Sequence, residues 1–209
     1  MSVWAIIPVK SLQASKQRLC HVLGQDQRRQ LTEIMLQDML ATLAAVRGLA
    51  GVAIVTPEPV EFVSGARHIA DPGGGLNVAL DRGIRVLAAD GAQAVVVLPA
   101  DIPFATPWEL EDLLTVGREF EVVVVPDHGG AGTNALYLAP PMAIQPTFGP
   151  NSFRQHLQQA ESRGLRTRSL SFSGIGFDID TPDDLDRLRI RVAGRAAYGF
   201  LGNFVTAAE

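Results

Sequence analysis

Apolar residues run along this chain in two alternating rhythms. Val3-Trp4-Ala5-Ile6-Ile7 is a continuous apolar run, which reads as a strand buried on both faces. From Gln27 to Val46 the apolar positions Leu31, Ile34, Met35, Met39 and Leu43 recur at helical spacing, and Gly48 bounds the segment. A second strand, Gly51 to Thr56, stops before Pro57 and Pro59, and Arg67 to Ala70 is a weaker third. Leu76 to Ala89 is helical and leads into the β-branched run Ala94-Val95-Val96-Val97-Leu98. Thr106-Pro107-Trp108-Glu109 is a capping box that opens the next helix.

The rhythm then changes. Glu121 to Val125 and Ala135 to Leu138 read as strands joined by a glycine loop rather than a helix. Ser152 to Ser162 is a helix, Thr167 to Phe172 a strand, and a last helix is capped by Thr181-Pro182 and carried on by Leu185 to Leu188. Strands alternating with helices predict an α/β fold with a mixed, mostly parallel central sheet. A single domain over residues 1–193 is expected, with a nucleotide-binding front half and a substrate-shaping back half. Residues 194–209 read as a loosely held tail whose Phe200, Leu201, Phe204 and Val205 pack on the domain itself or on a partner, which leaves a homodimer open.

The 209 residues suit one well-buried domain. A net charge of −4 lacks the basic stripe of a nucleic-acid binder. No apolar run approaches the ~20 residues of a membrane span. The single cysteine, Cys20, forms no intramolecular disulfide and reads as a small packing residue, so a cytoplasmic location is the default expectation.

Candidate chemistry starts with acids. In the extended segment Phe177-Asp178-Ile179-Asp180, alternation puts Asp178 and Asp180 on one side and Ile179 on the other. Paired carboxylates repel unless a cation or a proton lies between them. Asp101 follows the buried run ending at Leu98, at the carboxyl end of a strand, where open α/β sheets place ligands. Oxygen donors without a Cys/His cluster suit Mg²⁺ rather than zinc. Each piece also has a plain structural reading, as a capped helix or a proline-bracketed turn.

Lys10, Lys16 and Arg18 follow the first strand, where they are placed to neutralise a triphosphate, although no Walker loop is present. Asp71-Pro72-Gly73-Gly74-Gly75-Leu76-Asn77 allows close backbone approach, with Asn77 available to a base or ribose edge. Gly129-Gly130-Ala131-Gly132-Thr133-Asn134 and Phe148-Gly149-Pro150-Asn151-Ser152-Phe153 are two further loops, the second feeding a helix N-terminus with an affinity for anions. Thr133, Gly149 and Ser152 together read as a pocket for a small phosphorylated acid.

The ordered set I-P-V-K with K-x-R-L, D-P-G-G-G-L-N, L-P-A-D-I-P, V-P-D-x-G-G-x-G-T-N-A-L, F-G-P-N-S-F and D-I-D-T-P-D-D-L resembles the phospholactate/phosphoenolpyruvate guanylyltransferases of coenzyme F-420 biosynthesis. The likeness runs from about Val3 to Leu188. It implies a GT-A-like (Rossmann-like) nucleotidyltransferase fold and transfer of GMP from GTP to 2-phospholactate, phosphoenolpyruvate or 3-phosphoglycerate, with release of pyrophosphate. By the same resemblance Asp101, Asp178 and Asp180 hold Mg²⁺, and Lys10, Lys16 and Arg18 hold the triphosphate, with Asp101, Lys16 and Arg18 acting in catalysis. Asn77 lies near the guanine nucleotide, and Thr133, Gly149 and Ser152 bind the acceptor. The L-A-G-G-x-x-x-R-M-G opening of the wider superfamily is absent. His128 stands where many members of the family carry Arg, and a hydroxylated acceptor suits it. Another Mg-dependent nucleotidyltransferase on a sugar or polyol phosphate, and an inactive binding module, are the alternatives.

Overall fold

The computed structural model describes residues 1–10, 16–60 and 63–203. Its strands are β1 (Val3–Pro8), β2 (Leu49–Thr56), β3 (Arg67–Ala70), β4 (Ala94–Val97), β5 (Val122–Pro126), β6 (Thr133–Leu138) and β7 (Thr167–Ser169). They form one sheet in the order β3-β2-β1-β4-β6-β5-β7. β6 alone runs against its neighbours, β4 and β5; the remaining pairs are parallel. The α/β expectation with a mixed, mostly parallel sheet holds.

Because side chains alternate along each strand, the sheet feeds two separate cores. Ala5, Ile7, Val96, Val123, Val125 and Tyr137 face one side, where α1 (Gln25–Ala44) supplies Leu36, Met39 and Leu43, and α3 (Pro107–Val116) supplies Leu110 and Leu113. Ile6, Val95, Val97, Val124 and Leu136 face the other side, covered by Leu80, Ile84 and Leu87 of α2 (Leu76–Ala89) and Ala160 of α4 (Ser152–Ser162). Each large aliphatic side chain so buried contributes roughly 1.5–3 kcal/mol relative to exposure. A third cluster joins Leu31 and Met35 of α1 to Ile179 and to Leu185 and Leu188 of α5 (Pro182–Arg191).

This layering brings the chemistry to one edge. The parallel strands β1, β4 and β5 deliver their carboxyl ends there. Since Val97 pairs with Leu136 in antiparallel β6, the start of β6 at Thr133 lies at the same edge. The chain order reverses beside β1, between β2 and β4, the topological switch point at which open α/β sheets bind ligands.

Three expectations need correction. The strand from Thr167 to Phe172 ends at Ser169: its partner β5 finishes at Pro126, which has no N–H to donate, and a Gly176 N–H to Phe172 carbonyl bond turns the chain away. Cys20 is exposed, not packed, because Leu19 takes the buried position of that turn. The first half of the tail is not loosely held. Ala196–Asn203 forms a 3-10 helix, and Tyr198 and Leu201 are buried in the third cluster. The Tyr198 hydroxyl and the Arg195 guanidinium both donate to Asp38 of α1, each at 2.7 Å. Phe204 and Val205 lie outside the described residues.

Replacing Asp38 by Ala leaves the buried Tyr198 hydroxyl without its acceptor, which costs about 1–3 kcal/mol. We expect a lowered urea midpoint with unchanged slope for Asp38→Ala. An unchanged midpoint would show that this clasp contributes nothing to stability.

Candidate active site

A cleft of 390 Å³ opens at this edge, lined by Pro8, Val9, Lys10, Lys16, Arg18, Leu76, Asp101 and Asp180 among others. A larger groove of 600 Å³ between α5 and the C-terminal 3-10 helix contains none of the three candidate acids. The first cleft is therefore where chemistry converges.

Its acids arrive from two segments. Asp101 follows β4, and its carbonyl accepts the Ile179 N–H at 3.1 Å, so the 178–180 segment runs beside the Asp101 turn. Ile179 is fully buried while Asp178 and Asp180 are partly exposed, the alternation expected of an extended segment. The Thr181 hydroxyl then caps α5, and the Asp184 carboxylate accepts from the Thr181 hydroxyl, the Thr181 N–H and the Asp180 N–H. Burial pushes the Asp184 carboxyl up, but those donors prevail and hold it below the usual carboxylate range.

Lys16 unites the acids. Its ammonium lies 2.5 Å from Asp101 and 3.0 Å from Asp180, with the side chain only 7% exposed. Burial alone lowers its pKa, and the two carboxylates outweigh that, leaving it raised. The more exposed Arg18 reaches Asp180 at 3.2 Å. Lys16 is also left-handed, with φ of 52°. A lysine held there costs energy that the surroundings must overcome. Among the described residues the other non-glycine residue with positive φ is Asn151, at the start of α4. Both strained residues thus border the candidate site.

Asp178 is set apart. Burial pushes its carboxyl up, an Asn134 amide donor at 3.1 Å pulls it back, and repulsion from Asp101 and Asp180 raises it again. The net direction is upward. His128 sits across from it, 3.7 Å from Asp178 and 3.7 Å from Asp184, with its ring against Phe177.

Among the described residues no group of three or more acid, histidine or cysteine side chains is already arranged as a metal shell. The donor set nevertheless suits a hard divalent cation. Three carboxylates act on one another, none of the three is lost in the core, and a cation, the Lys16 ammonium, already lies between Asp101 and Asp180.

The two glycine loops are built more firmly. The Asp127 carboxylate accepts the N–H groups of Ala131 and Gly132, each at 2.9 Å, and so shapes the glycine loop that delivers Thr133. A Cβ on Gly132 would lie 2.5 Å from that carboxylate and would displace the group that shapes the loop. Gly149 has φ of 127° and open space where a side chain would go. Asn77, expected near the nucleotide, has both ends of its amide on Phe148: its oxygen accepts the N–H at 2.7 Å and its nitrogen donates to the carbonyl at 3.0 Å. In this structure Asn77 pins the loop before Gly149. Thr133 and Ser152 meet, with 3.2 Å between their hydroxyls. Lys10 lines the cleft on its exposed rim.

Sequence reasoning gave no role to Asp127 or Asn134, and it missed His156, which is fully buried and contacts Thr133. The Asp-x-Gly-Gly pattern did signal a side-chain-stabilised turn. Burial lowers the His156 pKa from 6.5 to about 4. The unfolded chain therefore takes up a proton below pH 6.5 that the folded one refuses. Stability is full above that pH and falls as pH drops towards 4, by about 2 kcal/mol between pH 7 and pH 5. Urea titrations at both pH values should show a flatter pH dependence in His156→Phe. Parallel slopes for the two proteins would contradict this assignment.

The family model described as "Guanylyl transferase CofC like" matches residues 3–207. A phosphoenolpyruvate guanylyltransferase of Rubrobacter xylanophilus is 42% identical over 193 residues, covering 90% of this chain and 94% of its own. A 2-phospho-L-lactate guanylyltransferase of a Methanocaldococcus species is 33% identical over 189 residues, covering 88% and 80%. Solved structures share the fold at low identity. A Desulfovibrio desulfuricans protein, provisionally assigned as a nucleotide-diphospho-sugar transferase, has a TM-score of 0.77 at 19% identity, covering 97% of this chain and 95% of its own. A CMP:2-keto-3-deoxy-manno-octonic acid synthetase complexed with CTP has 0.61 at 16%, covering 92% and 99%. A Mycobacterium tuberculosis protein solved with manganese has 0.55 at 18%, covering 90% and 98%. With a nucleotidyltransferase fold, a carboxylate-lined cleft at the sheet's carboxyl edge and this likeness along nearly its whole length, the chain belongs to the CofC-like guanylyltransferase family.

Proposed function

We propose that the protein transfers GMP from GTP to a phosphorylated three-carbon acid, releasing pyrophosphate, as a step of coenzyme F-420 biosynthesis. The observation that carries this reading is the pairing of two halves at one sheet edge. The acid–lysine cluster of Asp101, Asp178, Asp180 and Lys16 meets the cleft, and the loops that carry Thr133, Gly149 and Ser152 lie beside it, linked through the neighbouring residues Thr133 and Asn134.

An oxygen of the acceptor's phosphate attacks the α-phosphorus of GTP. The new P–O bond forms as the bond to the pyrophosphate oxygen breaks. A phosphate is already ionised near neutral pH, so no strong general base is needed, and catalysis is alignment plus charge compensation. Lys16, Arg18 and Lys10 hold the phosphates, with Lys16 leaving the carboxylates as they bind. Asp101, Asp178 and Asp180 would hold a divalent cation, which would supply charge neutralisation at the transferring phosphate. Mg²⁺ is the ion of choice for an all-oxygen donor set that keeps substrate phosphates in its shell. Gly149 leaves room for the acceptor, while the Thr133–Ser152 hydroxyl pair donates one hydrogen bond to its anionic end.

His128 borders this pocket from the Asp178 side and sets acceptor choice in this reading. A neutral imidazole both donates and accepts, which suits an acceptor with a free hydroxyl, whereas Arg only donates. In His128→Arg we expect the preference between 3-phosphoglycerate and phosphoenolpyruvate, measured as the ratio of kcat/KM, to shift by roughly tenfold towards the enol compound. An unchanged ratio would remove His128 from acceptor selection. Base specificity is tested in a panel of GTP, CTP and ATP: release of pyrophosphate from CTP in preference to GTP would favour a cytidylyltransferase instead.

A further inference from the structure

Thr133 and Ser152 are buried, 6% and 1% exposed, and the Thr133 hydroxyl meets a buried histidine. The His156 Nε2 lies 2.9 Å from the Thr147 backbone N–H. That N–H can only donate, so Nε2 presents its lone pair and the ring proton sits on Nδ1. Nδ1 lies 3.1 Å from the Thr133 Oγ1, which therefore accepts from it. Ser152 Oγ lies 3.2 Å from the same oxygen.

Counting protons fixes the rest. Thr133 and Ser152 own two hydroxyl protons between them. Their mutual bond uses one, and the contact with His156 uses only a lone pair of Thr133. One hydroxyl proton is thus left over, and the described residues give it no acceptor. With the other ring tautomer, Thr133 would donate into the imidazole and that spare proton would be consumed. The ring also fixes the pocket's far wall, since Nε2 anchors Thr147 while Asn77 anchors Phe148, the two residues before Gly149.

We propose that His156 is a positioning residue of the acceptor site: as the neutral Nδ1–H tautomer it compels the Thr133–Ser152 pair to present a hydroxyl proton to the acceptor's anionic group. The ligand class is a phosphate or carboxylate, which takes the spare proton as a hydrogen bond and faces the N-terminus of α4, where Ser152 is the first helical residue. The proposal rests on the acceptor-site reading above. It adds that the site's donor capacity is set from the core, by a residue that does not touch substrate. The edge-on contact of His156 with Phe148, 5.1 Å between centroids, keeps the ring in register with the loop.

The test compares His156→Phe, which keeps a ring beside Phe148 and removes both nitrogens, with Thr133→Val, Ser152→Ala and the His156→Phe/Thr133→Val pair. In His156→Phe the spare proton remains but Thr133 and Thr147 lose the partner that holds them in place, so the KM for the acceptor should rise roughly tenfold, part of the worth of a hydrogen bond to a charged group. The KM for GTP should stay within about twofold, since the triphosphate half has no bond to His156. Thr133→Val should raise the acceptor KM alike, and the pair should be no worse than Thr133→Val alone, the signature of one coupled unit. His156→Gln, which restores a donor and an acceptor, should recover part of the loss. If neither Thr133→Val nor Ser152→Ala moves the acceptor KM, the acceptor-site reading itself fails. If those two raise it but His156→Phe does not, or its effect adds independently, the proposal for His156 alone is overturned. Should His156→Phe not fold, nitrogen-15 NMR of the unaltered protein decides: a proton on Nδ1 at pH 7 supports the proposal, and a proton on Nε2 overturns it.

Discussion

Asp101→Asn should fold normally and lose at least two to three orders of magnitude in kcat. Asn keeps the size and one oxygen of the carboxylate but removes its charge. Asp101 is the acid nearest the Lys16 ammonium, at 2.5 Å, and its backbone carbonyl receives the Ile179 N–H. The substitution leaves that backbone link intact, so the 178–180 segment keeps its place. Under the proposed assignment, what is lost is one of the negative charges that would hold the cation beside the transferring phosphate. Removing one preorganised electrostatic group costs about 3–4 kcal/mol of transition-state stabilisation, and each ~1.4 kcal/mol is a factor of ten in rate. The measurement is steady-state pyrophosphate release with saturating substrates, paired with circular dichroism and a melting curve. Asp178→Asn should behave alike, and since Asp178 is already pushed towards its protonated form, neutralising it should not weaken the fold. Near-normal turnover in either variant would take that residue out of the catalytic centre.

Lys16→Met has the second large effect, with two readouts. The ammonium is the cation lying between Asp101 and Asp180, at 2.5 and 3.0 Å, while Arg18 reaches only Asp180 and is largely solvent-exposed. Without Lys16 the triphosphate loses its best-buried cation, and kcat/KM for GTP should fall roughly a hundredfold. The three acids would then face one another without their internal counter-charge. A divalent cation added without nucleotide should therefore raise the melting temperature of Lys16→Met more than that of the unaltered protein, because binding to the folded state stabilises it. A smaller rise in the variant would show that Lys16 and the metal do not compete for the same carboxylates. The second readout needs no activity, so it separates loss of a cation site from loss of turnover.

The residues whose signal is local were legible in the sequence. Thr106-Pro107-Trp108-Glu109 and Thr181-Pro182-Asp183-Asp184 both form capping boxes, because a cap depends on residues three apart and on little else. Asp178 and Asp180 flank a buried Ile179 because alternation is a property of extended backbone. Asp101 was legible from the apolar run before it, since the carboxyl end of a buried strand is a place rather than a partner. Partners across the fold were not legible. The Lys16–Asp180 contact joins residues 164 positions apart, and Asn134–Asp178 joins residues 44 apart. No local pattern announces either. Asn77 read as a free polar group after a glycine turn, yet its amide ties down a loop 71 residues away. His156 is the clearest case. At the sequence level it is one polar residue in a short helix, and only the approach of Thr133 from one strand and Thr147 from a loop fixes its tautomer. The tail was misjudged for a similar reason: the acceptor of the Tyr198 hydroxyl is Asp38, on a helix 160 residues earlier.

Guanylyl transfer is read out by following pyrophosphate release from GTP in the presence of Mg²⁺ and, in turn, 2-phospholactate, phosphoenolpyruvate and 3-phosphoglycerate. ATP and CTP serve as controls. The account predicts release that requires GTP, requires one of these phosphorylated three-carbon acids, and yields a guanosine diphospho-linked acid in equal amount. No release with any of the three acids, or release that is indifferent to the base, would contradict it.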